Sequence, residues 1–119
     1  MSFTSAPVKK TVAVALLEQL DIRVGQIVAV HDIPRSKKLV KLRVDLGTET
    51  RTIVAGLKAE RPDLSTLVGR QALFVVNLEP RLLAGELSEG MLFDLGYADG
   101  ITPVLAVPEQ PVPNGTRAG

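Results

Sequence analysis

Residues 39–46 read LVKLRVDL, and their reading decides the fold. Val40, Leu42, Val44 and Leu46 alternate with Lys41, Arg43 and Asp45, the period of a strand with one buried face and one wet, mostly basic face. Gly47, Thr48 and Glu49 then make a turn, and residues 50–57, TRTIVAGL, follow as the hairpin partner. Upstream, residues 22–33, IRVGQIVAVHDI, form a strand rich in Val and Ile that Pro34 closes. Gly25 inside it predicts a bulge or sharp coil, as a small barrel needs where a strand turns a corner.

Downstream, residues 58–69, KAERPDLSTLVG, break the strand pattern: Pro62 and Asp63 open a short helical turn and Gly69 ends it. RQALFVVNL, residues 70–78, is a nearly continuous apolar run and reads as a central strand. Residues 77–90 then read as a long surface connection. MLFDLGYA (91–98) and ITPVLAVP (101–108) flank Asp99-Gly100 as a hairpin closing the sheet. Near the start, Val12, Leu16 and Leu20 recur at helical spacing with Leu17 widening the apolar face, so a short helix is expected over 12–20. Residues 1–11 form a loose leader before a single domain over 12–119, and the Pro- and Gly-rich tail 109–119 packs in extended form. Three strands, a helical connector and two or three more strands make an all-β protein. The order fits the five-stranded Greek-key barrel called the OB-fold, in which oligonucleotides lie across one face. Pattern alone also permits an SH3-like barrel or an open meander.

Composition narrows the function. A chain of 119 residues that is 45% hydrophobic buries a core of its own and is not disordered. Aromatic residues make up 3%, which counts against a surface that stacks many bases on rings. With no cysteine and His31 as the one histidine, thiolate and multi-histidine metal sites and cysteine nucleophiles are excluded. No Gly-x-Ser-x-Gly elbow and no phosphate loop occur, and Glu86 with Glu89 is a weak acid–base pair, so a binding protein rather than an enzyme is expected, without cofactor. TVAVALLEQL, residues 11–20, is too short to span a membrane, and a soluble cytoplasmic chain is the plain reading.

The net charge of +1 hides a division: residues 1–70 hold 12 Lys and Arg against 7 Asp and Glu, residues 71–119 hold 2 against 6. The positive excess peaks in RSKKLVKLR, residues 35–43, with five cations and no acid. Such a block binds polyanions or makes a solvated strand face. Lys37, Lys38, Lys41 and Arg43 are its candidate contacts.

LDIRVGQIVAV (20–30), SKKLVKLRVDLGTETRTIVAGL (36–57), LVGRQALFVVNLEPRLLAGELSEGML (67–92) and PVPNGTRAG (111–119) resemble the tRNA-binding OB-fold family, over residues 20–117. That family includes C-terminal domains of bacterial methionyl-tRNA synthetases, stand-alone structure-specific tRNA-binding proteins and the CsaA-type export chaperones. The resemblance implies a homodimer that grips the outer corner of the tRNA L-shape by shape and phosphate contacts. It matches Lys38-Leu39, then Asn77 with Pro80 and Arg81, then Ser88 and Met91 to the family's pattern, and so implies RNA contacts at Lys38, Asn77, Arg81, Ser88 and Met91. Where relatives carry several lysines around the Pro-containing loop, this chain has Glu79 before Pro80 and Leu82-Leu83 after Arg81, which implies a shallower salt dependence. Two other roles follow from the same resemblance: a chaperone of exported polypeptides, towards which PVPNGTRAG leans and RTIVAGL does not, and a subunit delivering tRNA to a methionyl-tRNA synthetase.

Overall fold

The computed structural model describes residues 4–59 and 61–119; the first three residues of the leader and Glu60 of the connector lie outside the described residues. The helix is shorter than its periodicity predicts, α1 over Val14–Glu18, and Ala13 at its N-cap offers no side-chain acceptor. The strands are β1 (Ile22–Asp32), β2 (Val40–Asp45), β3 (Thr50–Ala55), β4 (Gln71–Val75), β5 (Arg81–Leu83), β6 (Glu86–Ser88), β7 (Met91–Leu92), β8 (Asp94–Leu95) and β9 (Val104–Leu105). A 3-10 turn at Leu64–Leu67 joins β3 to β4, capped by Asp63, whose carboxylate accepts from the Ser65 amide at 3.0 Å.

Five antiparallel strands in the order β3-β2-β1-β4-β7 make the barrel, the OB-type arrangement expected from the strand order. Val40, Leu42 and Val44 of β2 are fully buried, and Leu42 stands between Val30 and Ile53 in register. With Ile27, Ile53, Leu57 and one aromatic ring, Phe74, they form the aliphatic core. β1 serves two neighbours by coiling: Ile22–Gln26 pair with β4 and Gln26–Asp32 with β2. The bulge lies between Ile27 and Ala29, and Gly25 pairs regularly with Ala72. Gly25 is needed for a different reason: a Cβ there would sit 2.5 Å from Val44 Cγ1.

Main-chain and side-chain hydrogen bonds together complete the barrel between β3 and the stretch leading into β7. The Thr52 carbonyl accepts from the Glu89 amide at 2.8 Å, the Glu89 carboxylate accepts from the Thr52 amide at 3.2 Å, and Ser88 Oγ accepts from the Val54 amide at 2.9 Å. Arg51 spans the same seam, donating to the carbonyls of Val76 and Glu89. The closing strand is thus Met91–Leu92. The expected 91–108 hairpin splits: β8 and β9 pair only with each other, and the segment docks through the Leu73 amide on the Ala106 carbonyl at 3.0 Å.

The tail packs in extended form along the free edge of β1, with Val24 exchanging hydrogen bonds with Gly115 and Thr116 at 2.7 and 2.8 Å. Asp21 ties it down, accepting from Arg23 at 2.9 Å and Arg117 at 3.3 Å. The Arg23 hydrogen bond, with Arg117 adding to it, holds the Asp21 carboxyl below the usual carboxylate range. An acid whose folded pKa is depressed stabilises the fold above its unfolded value, about 3.9, and that contribution is lost as pH falls through the folded value. We therefore expect Asp21→Asn to flatten the acid limb of stability below about pH 4, read by urea melts at stepped pH. Equal pH dependence of the variant and the parent would show the clasp to be inert.

Candidate nucleic-acid interface

The β1–β2 loop is built to present its lysines. Ser36 Oγ accepts from the amides of Lys38 and Leu39 at 3.2 and 3.0 Å, closing a tight turn that leaves Lys37 and Lys38 exposed. Lys58 clamps the base of this loop: its amide donates to the Lys38 carbonyl, and its ammonium meets Asp32 at 2.6 Å and the Ile33 carbonyl at 2.9 Å. Lys41 and Arg43 point outward from β2, opposite His31 and Ala29 of β1 and Val54 and Thr52 of β3. Arg43 donates to the Thr52 hydroxyl at 2.7 Å, and Lys41 lies 3.5 Å from Glu86.

The connection over residues 77–90 is not merely a loop. β5 and β6 form a hairpin whose turn, Ala84-Gly85, has both φ positive, at 51° and 80°. Two-residue turns of this hand match strand twist, but they favour Asn-Gly, and Ala84 carries strain of about 1 kcal/mol. The hairpin leans over β3. Ser88 is buried against the barrel while its cross-strand partner Arg81, at the start of β5, stays exposed, and Leu82 with Leu87 faces solvent. At the tip, Gly85 lies under the Arg35 guanidinium, 3.2 Å from Nη1 to where a Cβ would stand. That contact and Lys41–Glu86 bring the β1–β2 loop, the outer face of β2 and the hairpin onto one wall.

Four of the expected contacts belong to this wall, Lys37, Lys38, Lys41 and Arg43, while Arg81 is exposed at the base of the hairpin opposite Ser88. Arg35, which opens the basic block, joins the four through its guanidinium over Gly85. The other three stand elsewhere or inward. Asn77 bonds with both ends of its amide, accepting from the Asp21 amide at 2.7 Å and donating to the Gln19 carbonyl at 2.8 Å, so it pins the junction of α1 and β1. Ser88 is 3% exposed, and its hydroxyl accepts from Val54 and donates to the Gly90 carbonyl at 2.9 Å. Met91 is partly exposed beside this seam. Glu86 and Glu89 bond to Lys41 and Thr52 respectively, so they do not form a carboxylate pair. Among the described residues no cluster of His, Asp or Glu suits a metal ion, and no helix is long and apolar enough to cross a membrane.

A small antiparallel barrel with cations on its β2 face and flanking loop has the architecture of an OB-type domain, the class the fold defines. Residues 22–117 match the family model described as a putative tRNA binding domain, and the chain belongs to that family. It is 45% identical over 95 residues to a methionine–tRNA ligase of Methanocaldococcus jannaschii, covering 79% of this chain and 14% of the ligase. A methionine–tRNA ligase of Parabacteroides distasonis is 36% identical over 116 residues, 98% of this chain and 17% of that protein. The chain thus spans roughly one sixth of such relatives or less. Among solved structures, a MetRS-related protein from Pyrococcus horikoshii superposes with TM-score 0.84 at 34% identity, covering 93% of this chain and all of that one. The chaperone CsaA from Bacillus anthracis does so with TM-score 0.80 at 26% identity, over 92% of this chain and all of that one.

Proposed function

We propose that the chain is a non-catalytic, cytoplasmic tRNA-binding protein that works as a homodimer and recognises the outer corner of tRNA by shape and phosphate contacts. The observation that carries this reading is the meeting of the β1–β2 loop and the hairpin on one wall: Lys37 and Lys38 on the loop and Arg81 at the base of the hairpin are exposed and, among the described residues, outside every ion pair. A stiff frame that spaces cations suits a folded RNA backbone, and it needs few aromatic side chains. The dimer is supported by α1, which buries none of its residues: Val14, Leu16 and Leu17 are all exposed, an apolar patch that a second copy would cover. Two copies present two walls to one RNA.

Filter binding of several tRNAs across a salt series tests this. We expect similar affinities and a linear fall of log K with log salt; no affinity at low salt ends the reading. Sedimentation as a monomer at micromolar concentration would remove the dimer.

A second reading is favoured by Leu82 and Leu87, an opposed pair on the hairpin's outer face that is 72% and 49% exposed. Such a surface suits apolar polypeptide, the ligand of a CsaA-type chaperone. Suppression of client aggregation that is lost with Leu82→Ser would favour it, and failure to protect any client would dismiss it. In the third role, as tRNA-delivering subunit, the protein would co-purify with a methionyl-tRNA synthetase.

A further inference from the structure

A second basic feature lies beyond the wall. Arg61, Thr66, Leu67, Arg70, Val104, Leu105 and Val107 line a recess of about 270 Å3. Arg61 is held by backbone on two sides, its Nη1 donating to the Leu57 carbonyl and its Nη2 to the Pro103 carbonyl, each at 3.1 Å. Arg70 Nε donates to the Thr66 carbonyl at 2.9 Å. A guanidinium has five N–H groups, so both keep donors in excess of these bonds. Among the described residues no carboxylate lines the recess or pairs with either arginine. Two fixed cations in one recess repel each other unless an anion lies between them. The apolar lining from Leu67, Val104, Leu105 and Val107 lowers the local dielectric and strengthens that attraction. The Thr66 hydroxyl donates to the Asp63 carbonyl at 3.0 Å, so the arginines are the donors that matter.

The recess and the wall are linked through the main chain. The Arg61 amide donates to the Lys58 carbonyl at 3.1 Å, and the Lys58 amide donates to the Lys38 carbonyl at 3.0 Å. The connector that carries Arg61 is thus tied through Lys58 to the loop that presents Lys38. We propose that Arg61 and Arg70 form a phosphate-binding recess that takes one phosphodiester of the RNA held on the wall, carrying the footprint around the barrel past the β3–β4 connector. The inference rests on the tRNA-binding reading.

The test is tRNA binding over a salt series by the parent, Arg70→Gln and the Arg61→Gln/Arg70→Gln double variant, with phosphate-ethylation interference mapped on the bound tRNA. Loss of one phosphate contact makes the slope shallower by roughly 0.7–0.9 and weakens binding about five- to tenfold near 0.1 M salt. One ethylation-sensitive position seen with the parent should vanish with the double variant. Arg70→Gln removes a single surface bond and guards against misreading a loosened connector, and thermal melts check the fold of each. A parental slope and an unchanged interference pattern in both variants overturn the proposal. Absence of binding by the parent itself is a different failure, that of the tRNA reading.

Discussion

Gly25→Ala is expected to lower the stability of the domain by about 3 kcal/mol, towards the upper end of what overpacking a core costs. The added methyl would meet Val44 Cγ1 at 2.5 Å, Leu46 Cδ2 at 3.0 Å and Phe74 Cδ2 at 3.1 Å. None of the three can yield cheaply. Val44 and Phe74 are fully buried, Leu46 nearly so, and a β-branched side chain such as Val44 has few rotamers to retreat into. Gly25 also lies where β1 is paired to β4, with Ala72 opposite, so backing the strand away would break ladder hydrogen bonds. Gly56 is the matched control: a methyl there would meet nothing within 4 Å. Urea denaturation of both variants reads the difference. A loss below about 1 kcal/mol for Gly25→Ala would mean that the barrel can open by several tenths of an ångström, and that this glycine is not what lets β1 coil so closely.

The barrel was legible wherever side-chain burial repeats with a simple period. β2 could be read residue by residue from LVKLRVDL, and the connector from Pro62, Asp63 and Gly69, because alternation and capping are local signals. The β5–β6 hairpin was not legible. Its strands are short, its turn is Ala-Gly rather than Asn-Gly, and Leu82 and Leu87 point away from the core, so neither periodicity nor turn chemistry marks it. Gly25 was recognised as special, but a glycine that admits a close neighbour and one that marks a bulge look alike in a sequence; the real bulge, near Val28, carries no marker at all.

The site divides the same way. Cations clustered in sequence, Lys37, Lys38, Lys41 and Arg43, remain clustered in space because they lie on one loop and one strand face. The family resemblance implies RNA contacts at Ser88 and Asn77, yet their hydrogen bonds go to the protein's own backbone. A polar side chain that holds the frame together cannot be told, from sequence, from one that touches RNA.

The triple variant Lys37→Glu, Lys38→Glu, Arg81→Glu separates these two kinds of residue, and we expect it to lose roughly 100- to 1000-fold in tRNA affinity near 0.1 M salt, alike for different tRNAs. All three side chains are exposed and, among the described residues, form no ion pair, so their reversal breaks nothing that folds the chain. Lys41 is the wrong choice for this purpose, since a glutamate there would face Glu86 and repel the hairpin. The salt slope should become shallower by about 2–3, as three phosphate contacts are given up. Ser88→Ala is the counterpart. It leaves the Val54 amide and the Gly90 carbonyl without the bonds they make to the hydroxyl, costing about 2 kcal/mol of stability, while affinity measured well below the melting point stays near that of the parent. If Ser88→Ala instead weakened binding as the triple variant does, the hairpin's seat on β3 would be part of the recognition itself. If the triple variant bound as tightly as the parent, RNA would have to approach some other face.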